Sequence, residues 1–194
     1  VAGDISFSST VDATTAGVET LTITAGTGNI GFTGAVGSTR LGTLTINSAG
    51  DVTAQAAVSA SSILQSAGTG TTTFNGAVDT NGAGGIDLTG NAFTVNSSVT
   101  TTNAGAVTIT NSGLLSIAAA GDMNLAGAFT QNGAGAVSTT GDITTTADNI
   151  SFATGVTLAG DVVLSTGVGV AGDISFSSTV DATTAGVETL TITA

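Results

Sequence analysis

The amino-acid sequence predicts an all-β parallel β-solenoid, and two repeats within the chain lead to that fold class. The long repeat is exact over 25 residues: residues 1–25 read VAGDISFSSTVDATTAGVETLTITA, and residues 170–194 read the same string. The short repeat is a seven-residue pattern that returns every 20 to 30 residues, with apolar side chains at its first, third and seventh places in nearly every copy. Such short periods are typical of chains that stack one structural coil on the next.

The short pattern predicts the first strand of each coil. Apolar residues at the first and third places, with a polar or small residue between them, follow the period of a strand with one buried face. The intervals between the last residues of the strings add up to the long period, so they predict seven coils per 169-residue repeat. The strings are ISFSSTV (5–11), IGFTGAV (30–36), VTAQAAV (52–58), TTFNGAV (72–78), FTVNSSV (93–99), MNLAGAF (123–129), ISFATGV (150–156) and ISFSSTV (174–180).

A second alternating segment follows in each coil, joined to the first by corners rich in glycine, which accepts tight bends. Helices are not expected, because Thr, Val, Ile and Gly dominate and no apolar stripe of period 3.6 is present. Further alternating pieces, which we interpret as a third stacked strand on one stretch of the solenoid, are LLSIAAA (114–120), DITTTA (142–147) and GVGVAG (167–172). The second segments are LTITA (21–25), LTINS (44–48), ILQSA (63–67), IDLTG (86–90), VTITN (107–111), VSTTG (137–141) and VVLST (162–166).

Alignment of the coils predicts two inward ladders of stacked side chains. The duplicated ends are expected to superpose by a translation of about 34 Å, seven strand spacings, with a small twist. Ile5 should then correspond to Ile174, Phe7 to Phe176 and Val11 to Val180. The first ladder is Phe7, Phe32, Ala54, Phe74, Val95, Leu125, Phe152 and Phe176, and the second is Ile5, Ile30, Val52, Thr72, Phe93, Met123, Ile150 and Ile174.

The composition removes several classes of function. The net charge is −12 and Arg40 is the sole cation, which argues against nucleic-acid binding. The chain has no cysteine, so disulfides, zinc–thiolate sites and thiol catalysis are excluded. No apolar run approaches the length of a membrane helix. We therefore expect residues 1–194 to form one continuous solenoid segment, with a repeat at 1–169 and the start of the next repeat at 170–194.

The acidic residues allow three interpretations. Several follow glycine directly before an apolar residue, a recurring position that favours corner carboxylates capping nearby backbone N–H groups. Paired carboxylates could instead cleave a polysaccharide, and the GAGGIDL string at 82–88 is faintly similar to the repeats of calcium-loaded β-rolls. We favour caps. The acids are Asp4, Asp12, Glu19, Asp51, Asp79, Asp87, Asp122, Asp142, Asp148, Asp161, Asp173, Asp181 and Glu188.

Other motifs give weaker signals. Serine has no histidine or lysine partner anywhere in the chain, so catalytic triads are excluded. Asn96 and Asn149 match the N-glycosylation pattern, which matters only in a eukaryotic secretory route.

Thr-x-Thr strings could form a flat ice-binding array, but only two of the seven expected outward rows are clean Thr pairs. The rows are Thr22/Thr24, Thr45/Asn47, Ile63/Gln65, Asp87/Thr89, Thr108/Thr110, Ser138/Thr140 and Val163/Ser165.

The strings GDISF, GTGNIGF, GDVTA and GDMNL, followed by turns rich in Ser, Thr and Ala, resemble the repeats of filamentous-haemagglutinin-type bacterial surface proteins. The similarity is greatest to the giant members with near-identical tandem repeats, and it covers the whole chain. The resemblance implies a right-handed β-helix, secretion from a Gram-negative-type cell, and a role in surface display, adhesion or filament formation.

Together these features predict a structural extracellular fibre or cell-surface shaft of bacterial origin, with no capping segment at either end and with self-association end to end. The alternative is an adhesin stalk, or a face that binds glycans; an enzyme is the least favoured class, because Trp and Tyr for sugar stacking are missing. We assign no catalytic, cofactor-binding or metal-binding residue and no cofactor. The expected partner is another copy of the repeat, with no nucleic acid and no membrane insertion.

Overall fold

The computed structural model describes residues 3–167 and 172–194, and the regular structure in these ranges is entirely β. Most strands have three to five residues, and two longer ones cross a corner of the fold. In chain order, β1 to β23 are Ile5–Phe7, Leu21–Thr24, Ile30–Phe32, Val36–Ser48, Val52–Ala54, Val58–Gln65, Thr71–Phe74, Val78–Thr80, Ile86–Gly90, Ala92–Val95, Val99–Thr101, Val107–Asn111, Leu115–Ile117, Met123–Leu125, Phe129–Asn132, Val137–Thr139, Ile143–Thr145, Ile150–Phe152, Val156–Leu158, Val162–Ser165, Ile174–Phe176, Val180–Ala182 and Leu190–Thr193.

The strands form a parallel β-solenoid of about eight turns with three faces, so the predicted fold class is confirmed. Face 1 is the sheet β1-β3-β5-β7-β10-β13-β16-β19-β22. Face 2 runs from Val11 through the first halves of β4 and β6 to β8, β11, β14, β17, β20 and β23. Face 3 runs from β2 through the second halves of β4 and β6 to β9, β12, β15, β18 and β21. Corner 1, corner 2 and corner 3 are the bends that precede faces 1, 2 and 3.

Alternation within each short strand sets its orientation. In β10, Phe93 and Val95 are buried while Thr94 between them is half-buried and faces outward. The inward residues of successive turns lie over one another in register, which produces a continuous aliphatic column with stacked aromatic rings. The rings of Phe7 and Phe32 stack with centroids 5.0 Å apart. This packing provides the apolar burial that drives folding.

The two predicted ladders are confirmed over their first five members and then differ from the structure. Ile5/Phe7 pairs with Ile30/Phe32, and the register continues along face 1 to Phe93/Val95. The next pair on face 1 is Leu115/Ile117, whereas the sequence alignment places Met123/Leu125 there. Met123 in fact pairs with Val99 on face 2. The predicted ladder therefore changes face after Val95.

Two of the extra alternating pieces account for this change. LLSIAAA contains β13, which continues face 1 between β10 and β16, and DITTTA contains β17, which continues face 2 between β14 and β20. Neither is a third stacked strand, so that interpretation is wrong for both. The third piece, GVGVAG, lies outside the described residues except for its first and last glycines. The two longest coils of the sequence alignment, Val99 to Phe129 and Phe129 to Val156, therefore each contain four strands: one full turn of three faces and one strand of the next turn.

The duplicated ends consequently lie on different faces. In the first copy ISF is on face 1, Val11 on face 2 and LTIT on face 3. In the second copy ISF is on face 3, Val180 on face 1 and LTIT on face 2. The repeat thus spans seven and two-thirds turns, which corresponds to an advance of about 37 Å along the solenoid axis. The same residues point inward, as predicted, but the prediction of simple translation is wrong because one third of a turn separates the copies.

The register after Val95 can be tested with engineered disulfides, since the chain has no cysteine of its own. Thr94 and Ser116 are outward partners on neighbouring strands of face 1. Their separation of about 4.8 Å suits a disulfide. We expect Thr94→Cys/Ser116→Cys to oxidise readily. The control Thr94→Cys/Asn124→Cys, which the seven-coil alignment pairs, should stay reduced, and the opposite result would restore that alignment. Thiol titration and electrophoretic mobility report the outcome.

The assignment of inner and outer positions is tested within one strand. Phe93→Asp places a carboxylate in the aliphatic column, so we expect the free energy of unfolding to fall by at least about 3 kcal/mol. Thr94→Asp, on the outer surface of the same strand, should change it by less than about 1 kcal/mol. Urea unfolding followed by circular dichroism measures both. Equal losses would show that the strand is not oriented as described.

Candidate functional site

The carboxylate and amide side chains, which are the groups best suited to bind or catalyse, lie mostly at the corners, where they join successive turns. At corner 1 the Oδ1 of Asp4 accepts a hydrogen bond from the backbone N–H of Asn29 at 2.7 Å. The Oδ1 of Asn29 accepts from the N–H of Asp51 at 2.8 Å, and that of Asp51 accepts from the N–H of Thr71 at 2.8 Å. Each side chain therefore satisfies a backbone donor one turn further along.

The same arrangement recurs at the other two corners. At corner 2, Asp122 accepts from the N–H of Asp142 at 2.9 Å, and Asp142 accepts from the N–H of Val163 at 2.8 Å. At corner 3, Asn149 accepts from the N–H of Asp173 at 2.8 Å. The interpretation of these acids as caps is confirmed, and the structure adds that each cap spans a turn. We call this set the corner ladder.

Asp161 is held most strongly among the corner acids. One of its oxygens accepts two hydrogen bonds from Thr189, one from the side-chain hydroxyl at 2.8 Å and one from the backbone N–H at 2.9 Å. The hydroxyl bond first, and then the amide bond, hold the pKa of the Asp161 carboxyl below its ordinary value, against a smaller upward effect of desolvation. Its carboxylate is thus stabilised as a structural acceptor.

Two acids outside the corner ladder also accept backbone hydrogen bonds. Asp12 accepts the N–H of Thr39 at 3.0 Å, and Glu19 accepts the N–H of Thr15 at 3.0 Å. Asp87, in the glycine-rich string with a faint similarity to calcium repeats, is exposed on face 3 between Leu64 and Thr108. Within residues 3–167 and 172–194, no three acidic, histidine or cysteine side chains are grouped as a metal site would require.

Arg40 connects three turns, a role that sequence reasoning missed. Its Nη1 donates to the carbonyl oxygens of Ala60 and Asp79, both at 2.9 Å, and its Nη2 pairs with the Asp79 carboxylate. Two carbonyls and a carboxylate on the two following turns thus share one guanidinium. Ion pairs at a half-exposed surface contribute little, so its contribution comes from joining turns rather than from charge.

A buried amide pair lies where face 3 bends into corner 1. The Nε2 of Gln131 donates to the Oδ1 of Asn111 at 2.7 Å, and the Oε1 of Gln131 accepts from the N–H of Ala153 at 3.0 Å. The Nδ2 of Asn111 donates to the carbonyl of Gly113 at 2.7 Å. Both side chains occupy inward positions of alternating strands, in VTITN and FTQN. A polar residue at an inward position was the sequence signal that could have predicted this buried pair.

An open groove of about 310 Å³ lies over this amide pair on the outer surface of the solenoid. Its walls provide the hydroxyls of Thr89, Thr110 and Ser112 and backbone groups, but no ionisable side chain. Such a lining can hydrogen-bond a neutral polar ligand and has no group for acid–base or nucleophilic chemistry. The groove is lined by Ala67, Gly68, Thr89, Gly90, Thr110, Asn111, Ser112, Gly133 and Ala134.

The outward rows of face 3 differ from those expected. Ile63 and Gln65 are buried, so this predicted outward pair points inward. The pairs at 138/140 and 163/165 do not belong to face 3, because Ser138 is in a strand of face 1 and Val163 in a strand of face 2. Thr22/Thr24 and Thr108/Thr110 are the clean threonine rows, and an extended array is not formed. The outward rows of face 3 are Thr22/Thr24, Thr45/Asn47, Leu64/Ser66, Asp87/Thr89, Thr108/Thr110, Thr130/Asn132, Ser151/Ala153 and Ser175/Ser177.

Both asparagines of the glycosylation patterns have structural partners. The Nδ2 of Asn96 donates to the Oδ1 of Asn75 at 2.8 Å, and that of Asn75 donates to the Oε1 of Gln55 at 3.0 Å. Asn149 belongs to the corner ladder. Stacked amides of this kind account for these asparagines without any modification.

Comparison of the chain with protein-family models, with curated proteins and with solved structures finds no match. In the part of the chain that the structure describes, no helix is long and apolar enough to cross a membrane.

The pKa of Asp161 predicts an acid limit to stability. Because the carboxyl has a lower pKa folded than its ordinary value of 3.8, it adds stability above about pH 4, which is lost as the pH falls through the folded-state value. We expect the melting temperature of the chain to fall more between pH 5 and pH 2 than that of Asp161→Asn. Asparagine keeps the acceptor oxygen, as Asn29 and Asn149 show, but does not titrate.

Circular dichroism at stepped pH values gives the measurement. The two proteins should melt at similar temperatures at pH 7, where the acceptor oxygen is present in both. If the variant loses as much stability in acid as the parent chain, Asp161 is not a titrating cap.

Proposed function

We propose that this chain is a segment of a structural shaft, in an extracellular fibre or at a bacterial cell surface, built from tandem β-solenoid repeats of filamentous-haemagglutinin type. One observation carries the proposal: the second copy of the repeated string stacks as an ordinary turn. Its ISF, Val180 and LTIT rungs continue faces 3, 1 and 2 in register from β18, β19 and β20. One repeat thus leads into the next with every sheet unbroken.

The chemistry of the surface supports a mechanical role. Its carboxylates largely accept backbone hydrogen bonds, and its outward strand positions carry mainly hydroxyl and small side chains. The carboxylates of the corner ladder join successive turns, which is what a shaft requires. A chain of this kind has no enzymatic activity under this proposal, and it needs neither a cofactor nor a metal.

The proposed partner is another copy of the repeat. Ile23 in the first copy is 4% exposed because the next turn covers it, whereas the equivalent Ile192 is 49% exposed. A turn like that of residues 26–48 would cover Ile192, and it can come from the continuing chain or from a second molecule stacked end to end. Unpaired strand edges of this type favour addition of further strands.

A second candidate is an adhesin whose shaft also binds a glycan. The observation that favours it is the groove over the Asn111–Gln131 pair, whose hydroxyl and backbone groups suit neutral sugar hydroxyls. Binding of soluble oligosaccharides that is lost in Thr110→Val, a hydroxyl-removing change at the groove, would favour this candidate.

A lengthened chain tests the proposed shaft. Adding a further copy of residues 26–194 after Ala194 should extend the particle by about 37 Å with an unchanged cross-section. Small-angle X-ray scattering gives both quantities, from the maximum dimension and the cross-sectional radius of gyration. End-to-end stacking at higher concentration should likewise lengthen the particle only. A particle that thickens as it grows would overturn the proposal.

A further inference from the structure

We infer that a tandem array of this repeat rotates its surface by one third of a turn at every repeat, so that each exposed feature is displayed on all three sides of the shaft. The inference rests on the proposed function, because it applies to repeats in series. Its basis is the register: ISF moves from face 1 to face 3, Val from face 2 to face 1, and LTIT from face 3 to face 2. All three shifts have the same size and sense.

The feature that shows this most clearly is the exposed loop of residues 14–19 and its second copy at 183–188. The first copy lies at corner 3 and the second at corner 2. In both, the threonine N–H donates to the glutamate carboxylate, Thr15 to Glu19 at 3.0 Å and Thr184 to Glu188 at 2.9 Å. The loop therefore keeps its internal hydrogen bonds when the corner beneath it changes, including the bond from the valine N–H to the threonine carbonyl, 3.1 Å in both copies.

The backbone and exposure of the loop are also conserved between its two positions. Its glycine has φ of 79° in the first copy and 77° in the second, in the region that glycine adopts without strain. Its valine, Val18 or Val187, is 62% or 64% exposed. The conformation is thus set by the loop's own sequence, and every repeat presents the same apolar tip.

The three faces are interchangeable for a physical reason. Each needs only two apolar side chains separated by one outward residue, followed by a corner whose backbone donors are satisfied. The corner ladder provides those acceptors at all three corners, with Asp4 at corner 1, Asp122 at corner 2 and Asn149 at corner 3. A strand unit can therefore move to the next face at no cost in pairing.

The consequence concerns what can bind such a shaft. The loop tip recurs about every 37 Å along the axis, at three successive corners, and returns to its first side after three repeats, apart from the slow twist of the stack. No face keeps one surface for longer than a repeat, so the array does not match a long flat ligand such as a crystal surface. It suits a second copy of this chain, because neighbouring shafts in a bundle can meet equivalent loop tips from any side.

Spin-label distances in the 194-residue chain test the rotation. Two pairs of cysteines are needed, each labelled in a chain without other cysteines. The test pair is Val18→Cys/Val187→Cys, equivalent positions of the two loops. The control pair is Ser6→Cys/Asp181→Cys, which lie on one outward ladder of face 1, eight strand spacings apart, or about 38 Å.

The axial separations of the two pairs differ by only a third of a strand spacing, so any difference in distance reports rotation. With double electron–electron resonance on labelled chain diluted into unlabelled chain, we expect the loop pair to be clearly farther apart than the control pair. A loop pair no farther apart than the control would overturn the rotation while leaving the shaft intact. Failure of the lengthened chain to extend in scattering would instead overturn the shaft and leave the rotation measurable.

Discussion

The structure depends on one constraint: the apolar stripe of each turn is covered only by the turns before and after it. Along face 1 the strands have three or four residues, and each pairs with residues 19 to 25 positions away on the neighbouring turn, so none has a local partner. Stability is consequently a sum of interfaces between turns rather than a property of one central core. The contrast between buried Ile23 and exposed Ile192, identical residues in identical strings, shows directly what one missing interface exposes.

The polar groups obey the same constraint. A corner bends the chain away from the sheets and exposes backbone donors, and the Asp and Asn side chains of the corner ladder accept them from the next turn. Arg40 and the Asn111–Gln131 pair likewise bond groups on neighbouring turns. Since hydrogen bonds of this kind also need the next turn to exist, the polar and apolar contributions strengthen and fail together. The carboxylates of the corner ladder therefore contribute to the stacking of turns.

Sequence patterns were sufficient for the strands, their inward residues and the role of the corner acids. ISF, IGF and FTV were placed with the correct side chains inward, and glycine followed by aspartate identified most of the caps. The change of face was missed because all three faces accept the same apolar–x–apolar pattern, so MNL on face 2 aligned well with FTV on face 1. Length was a partial signal: the step of 30 residues exceeds every one-turn spacing between paired strands, whereas the step of 27 does not exceed the 28 residues that separate Val162 from its partner Leu190. The partners of the caps were also beyond sequence reasoning, because each lies one turn away.

The separation of sequence period from structural turn follows from the absence of any closure requirement. A barrel must close on itself, so its strand number and shear are fixed together, whereas an open stack only requires that each strand meet a compatible strand below and above. That requirement is met in the structure by ISF on ISF at 150–152 and 174–176, by Val156 on Val180, and by LTI on LTI at 21–23 and 44–46. These pairs bring together strands from different positions in the repeat, yet the phenylalanines still stack, with Phe152 and Phe176 5.3 Å apart. The natural unit of this solenoid is therefore one strand with its corner, a third of a turn, and a repeat can contain any whole number of such units without interrupting the stacking of turns.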